Sequence, residues 1–112
     1  MYRKRINNFN NRVHRIYDKK FSFIESVLDS CVTLDQLDNA ACWASTVLEQ
    51  YHKYEKDRLR QIINYFVYID LLDVVNDYFG PKQENINLIF ERKIEEVERQ
   101  EVREEDEMLP FE

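Results

Sequence analysis

A chain of 112 residues with one glycine and two prolines has very little with which to turn corners. Tight reversals draw on glycine for positive φ and on proline for a preset φ. An all-β fold, with a turn every few residues, is therefore disfavoured, and so is a phosphate-cradling loop of clustered glycines. Long helices joined by few connections remain. Hydrophobic residues make up 44% of the chain, too many for a disordered one, while 34% are charged, too many for a membrane protein. At this length the chain is one domain that buries roughly two-thirds of its unfolded surface.

The apolar residues recur at helical spacing. Residues 1–10 are rich in Arg, Lys and Asn and read as a flexible basic arm. From about Asn11, residues Val13, Ile16, Tyr17, Ile24, Val27, Leu28 and Cys31 fall on one stripe, with Phe21 and Phe23 flanking it. This first helix is expected to end near Ser30. Thr33-Leu34-Asp35-Gln36 is a capping box that opens a second helix, with Asp35 suited to its positive end. Its stripe is Leu37, Ala40, Ala41, Ala44, Val47, Leu48 and Tyr51. A third stripe, Leu59, Ile62, Ile63, Phe66, Ile69, Val75 and Phe79, is out of phase with the second by about one residue. Either two helices meet near Asp57, or one bends. Gly80-Pro81 reads as a helix stop. A fourth helix would then carry Ile86, Ile89, Phe90, Ile94 and Val97 before its stripe fades.

The fold expected is all-α: a small antiparallel bundle of three or four helices over residues 11–97. The basic arm precedes it, and an acidic helix extension and tail over 98–112 protrudes.

Chemistry-bearing residues are sparse. Cys31 and His14 lie nearly five turns apart on one helix, and Cys42 and His52 about 15 Å apart along another. Neither pair forms a nucleophile and base. Both cysteines read as small core residues, and their low number favours a reducing compartment. Asp70, Asp73 and Asp77 share a helical face, and Glu91 and Glu95 another, but both read as solvated surface rather than metal ligands. No catalytic residue, metal or cofactor is expected, nor any small-molecule substrate. No run of about 18 apolar residues exists to span a membrane. Asn7, Asn8, Asn10 and Asn11 stand where a signal peptide needs its apolar stretch, so the cytoplasm is expected.

Charge and aromatic placement carry the remaining signal. The net charge of −6 hides a gradient: residues 1–20 sum to +6 and residues 84–112 to −7. Such asymmetry marks interaction arms or mutual pairing of the termini. Arg3, Lys4, Arg5, Arg12, Arg15, Lys19 and Lys20 are candidates for phosphate contacts in a nucleic-acid-binding protein. Tyr51, Tyr54, Tyr65, Tyr68 and Tyr78, with Trp43, exceed what one thin bundle needs inside, and rings with a polar handle favour interfaces; Trp43, Tyr51, Tyr54, Tyr65 and Tyr68 are singled out. With Leu109 and Phe111 of the closing Met-Leu-Pro-Phe cluster, they are the candidate contacts for a protein partner or a second copy.

The segment Ser30-Cys31-Val32-Thr33-Leu34-Asp35-Gln36-Leu37-Asp38-Asn39-Ala40, with a helix on each side, resembles small α-helical proteins of bacteriophages. The resemblance implies a small accessory or host-interacting protein in the host cytoplasm, and it carries no functional residue. Together the readings give a non-enzymatic interaction protein, with nucleic-acid binding through residues 1–20 as the alternative.

Overall fold

The computed structural model describes residues 2–108, with side chains from residue 3 to residue 100. Among these residues every regular element is a helix. Helix α1 spans Tyr2–Asp29, α2 spans Leu34–Arg58, and α3 spans Tyr65–Met108; a 3₁₀ turn, Leu59–Gln61, follows α2. The molecule measures 75 × 20 × 16 Å. That length agrees with a 44-residue helix rising about 1.5 Å per residue.

Connections form where local chemistry ends a helix. Thr33 adopts an extended backbone, and its hydroxyl accepts from the Gln36 N–H at 3.1 Å. The Gln36 side chain reaches back to the Val32 N–H at 3.0 Å, one residue before the cap itself. The second connection needs neither glycine nor proline. Ile62 is extended, and two β-branched residues in succession weaken the helix there. Asn64 then caps α3, its Oδ1 accepting from the N–H groups of Phe66 and Val67 at 3.0 and 3.3 Å. Two helices therefore meet, with Asn64 rather than Asp57 as the cap.

Three further expectations are corrected. Residues 2–10, expected as an arm, are the first turns of α1, and Ile6 and Phe9 pack against the core. Gly80-Pro81 does not stop α3, which continues to Met108. Gly80 has no positive φ, so it forms no left-handed cap. Both residues face solvent, and the Asp77 carbonyl that proline leaves without an N–H partner lies on that exposed side. The third stripe is displaced as well. Because 62–64 is not helical, Ile62 and Ile63 do not set the phase of α3, and Val67, Leu71, Val75, Tyr78 and Phe79 face inward.

The core is one continuous cluster drawing on all three helices. At its middle sits an aromatic layer. Tyr17 and Phe21 of α1 meet Phe79 of α3 at ring-centroid distances of 5.2 and 5.9 Å, and Tyr51 of α2 lies 5.2 Å from Tyr17. Burying side chains of this size contributes about 2 kcal/mol each relative to leaving them exposed. Cys31 is buried as expected, whereas Cys42, midway between the inward-facing Ala40 and Ala44, turns to the opposite side of α2 and faces solvent.

Contacts order the helices. Those that climb α1 from Arg12 to Phe21 descend α2 from Glu55 to Tyr51. His52 of α2 meets Asn76 and Phe79 of α3, while Asp38 and Cys42 line a groove with Asn87 and Phe90. Asp29, the last residue of α1, pairs with Arg92 of α3 at 2.8 Å.

Candidate interaction site

The end of the rod where α1 begins and α2 passes into α3 concentrates the chain's unusual chemistry. Beneath it lies a buried carboxylate. Glu55 is 1% exposed. The Tyr17 hydroxyl donates to it at 2.7 Å, and the Arg12 guanidinium donates twice, at 3.1 and 3.4 Å. Arg58, one turn on, stands 3.9 Å away. An unpaired buried carboxylate is heavily penalised, and these donors offset that cost. Burial, reinforced by the Glu55 carboxylate, pushes the Tyr17 phenol well above its ordinary range, so it remains a donor.

A second pair sits further along the rod. The Tyr78 hydroxyl donates to Asp18 at 2.6 Å, and the His14 ring lies 3.3 Å from the same carboxylate. The Tyr78 hydrogen bond holds the Asp18 carboxyl below its usual range, and His14 adds to this. Burial and Asp18 together raise the Tyr78 phenol.

Above Glu55 opens a groove of 330 Å³ between α1 and the end of α2. Arg5, Asn8, Arg12 and Arg58 line it together with the apolar Phe9, Leu59, Ile62 and Leu71. Ile62 also borders a second hollow of 280 Å³, with Arg60, Ile63, Tyr65 and Tyr68. The two hollows therefore adjoin. Around them the apolar surface is unusually open: Ile63 is 100% exposed, Phe66 78% and Tyr65 67%. A contiguous exposed apolar patch rimmed by polar residues marks a contact surface more often than scattered single residues do.

Charge singles out the same end. Segments 3–12 and 53–66 contain eight cations (Arg3, Lys4, Arg5, Arg12, Lys53, Lys56, Arg58 and Arg60) and two acids, Glu55 and Asp57. Glu55 is buried and Asp57 is paired with Arg60 at 3.3 Å. The outward field there is positive, although the chain as a whole is negative.

The sequence-derived contact residues divide among several places. Tyr65 and Tyr68 line the corner, and Tyr54 stands exposed nearby with the Arg58 guanidinium over its ring at 5.9 Å. Tyr51 belongs to the interior aromatic layer. Trp43, edge-on to Phe23 at 6.1 Å, is 15 positions up α2 from Arg58, about 22 Å away along the helix. Leu109 and Phe111 lie outside the described residues. Of the cations, Arg3, Lys4, Arg5, Arg15, Lys19 and Lys20 are exposed on α1, whereas Arg12 is engaged with Glu55. Among the residues that sequence reasoning passed over, Glu55 lies in a stretch that reads as uniformly polar. Ile63 and Phe66 read as core until the cap at Asn64 is seen.

Among the described residues no group of three or more His, Cys, Asp or Glu is placed to hold a metal ion. No described helix is long and apolar enough to cross a membrane. Comparison with protein-family models, curated proteins and solved structures yields no match.

Proposed function

We propose that this chain is a non-catalytic interaction protein, an antiparallel three-helix bundle that docks a partner on its basic, apolar corner. The order of contacts supports the antiparallel reading, since partners ascend α1 as they descend α2 and descend α2 as they ascend α3. The observation that carries the functional reading is the coincidence of three features in one place. These are fully exposed Ile63 beside Tyr65 and Phe66, an open groove, and a ring of arginines. Burial of that apolar surface supplies affinity, and the arginines select an acidic partner segment and speed its approach. Small accessory proteins of bacteriophages, which the Ser30–Ala40 segment resembles, would act in this manner in the host cytoplasm. Photocrosslinking from residue 63 in cells, with residue 43 as control, tests the reading. Adducts from residue 63 at acidic segments are expected; adducts from residue 43 alone would overturn it.

A second reading follows from the exposed Lys4, Arg5, Arg15 and Lys19 on the continuous helix α1. Such a strip suits a nucleic-acid backbone. Binding to oligonucleotides that weakens steeply with salt would favour it, and absence of binding at low salt would remove it.

A further inference from the structure

Resting on the corner reading, we infer that the segment docking on the basic corner is the acidic, apolar C-terminal stretch of a second copy of this chain. Residues 98–112, beyond the buried Val97, contain seven acids and two bases, a net −5, and include Glu104-Glu105-Asp106-Glu107-Met108-Leu109-Pro110-Phe111. The corner offers the complementary pair of features: arginines lining its groove, and beside them Phe9, Ile62 and the exposed Ile63. Acidic residues followed by an apolar cluster match that pairing of charge with apolar surface. A bare phosphate backbone matches only the charge.

Geometry decides between a chain's own stretch and that of its neighbour. Leu71 borders the groove, and α3 runs on unbroken to Met108. The 37 positions between them place Met108 about 55 Å away along the helix. Four further residues reach at most about 14 Å. The stretch therefore cannot return to its own corner. Corner and stretch lie at opposite ends of the rod, so two antiparallel copies each place their stretch on the other's corner, a closed two-fold dimer.

Sedimentation equilibrium of the full-length chain tests this, with two charge-reversed variants. The first carries Arg5→Glu and Arg60→Glu, both at exposed cations of the two hollows; the second carries Glu104→Lys, Glu105→Lys, Asp106→Lys and Glu107→Lys. The wild-type chain should self-associate, with a dissociation constant that rises at least about tenfold between low and high salt as screening sets in. Each variant alone should be monomeric, with an unchanged circular dichroism spectrum. An equimolar mixture should associate again, because each reversed surface then meets an opposite charge. Ile63→Ser, at a fully exposed position, should weaken wild-type association without disturbing the fold. A monomeric wild-type chain, or association indifferent to both reversals, overturns the proposal. Should residue 63 then crosslink to a different protein in cells, the corner stands as the contact surface and only this occupant is lost.

Discussion

The hydroxyl of Tyr17 lies 2.7 Å from a carboxylate oxygen of Glu55, across 38 positions of sequence and out of reach of solvent. This bond, with the Arg12 guanidinium on the same carboxylate, ties α1 to α2 directly beneath the corner. Tyr17→Phe deletes a hydrogen bond to a buried charge and should cost about 2 kcal/mol. Glu55→Ala also leaves Arg12 without its partner and should cost about 3 kcal/mol. Urea denaturation measures both. If Glu55→Ala were no worse than a surface substitution, the carboxylate would not be buried as described.

The raised phenols of Tyr17 and Tyr78 make stability sensitive to alkali. A group whose pKa is raised on folding stabilises fully below its unfolded value and loses that contribution as pH rises above it. The unfolded value is 10.0. Thermal stability should accordingly fall above about pH 10, more gently in Tyr17→Phe and Tyr78→Phe. Absorbance should show two of the seven tyrosines ionising only as the chain unfolds. Asp18 acts at the other extreme. Its lowered carboxyl supports the fold above its ordinary value and ceases to do so as pH falls through the folded one, so Asp18→Asn should flatten the acid limb.

An uninterrupted α3 makes its two helix-breaking residues costly. A Cβ added at Gly80 meets nothing within 4 Å, and the position is exposed, so Gly80→Ala should stabilise by about 0.8 kcal/mol. Pro81→Ala should stabilise by more, up to about 3 kcal/mol. Calorimetric melting checks both. A destabilising Gly80→Ala would indicate a left-handed cap and two helices in place of one.

At the α1–α2 connection, Thr33→Ala removes the side chain that accepts from Gln36 and should cost about 1 kcal/mol. Ile63→Ser should change stability by less than about 0.5 kcal/mol, since no described residue covers that side chain. The contrast separates a residue that maintains the fold from one available to a partner.

Much of the fold is legible in the sequence because its signals are local. The stripes of α1 and α2 are read correctly from Val13 to Leu28 and from Leu37 to Leu48, except that Phe21, placed beside the α1 stripe with Phe23, is fully buried within it, and Thr33 caps as its spacing indicates. The errors arise where local propensity and packing disagree. Gly80-Pro81 is a strong stop in isolation, but Tyr78, Phe79 and Ile86 hold both sides of it in one core, and packing prevails. Ile62, Ile63 and Phe66 have the spacing of a buried stripe. Only the Asn64 cap, between Ile63 and Tyr65, resets the phase and turns Ile63 outward. The corner was legible in part: Tyr65 and Tyr68 stood out, and so did the basic start. Their meeting with Arg58 and Ile62 depends on α1 lying beside the end of α2, which composition and period do not encode. Glu55 was invisible because its neighbours Lys53, Tyr54 and Lys56 are all exposed.

The central claim is that the corner accepts an acidic, apolar peptide segment. A synthetic peptide of residues 98–112, labelled and titrated by fluorescence anisotropy with the full-length chain, measures that most directly. Binding that weakens with salt, and is lost both in Ile63→Ser and in the Arg5→Glu, Arg60→Glu variant, is the result expected. Absence of binding at low salt, or binding that survives both variants, would contradict it.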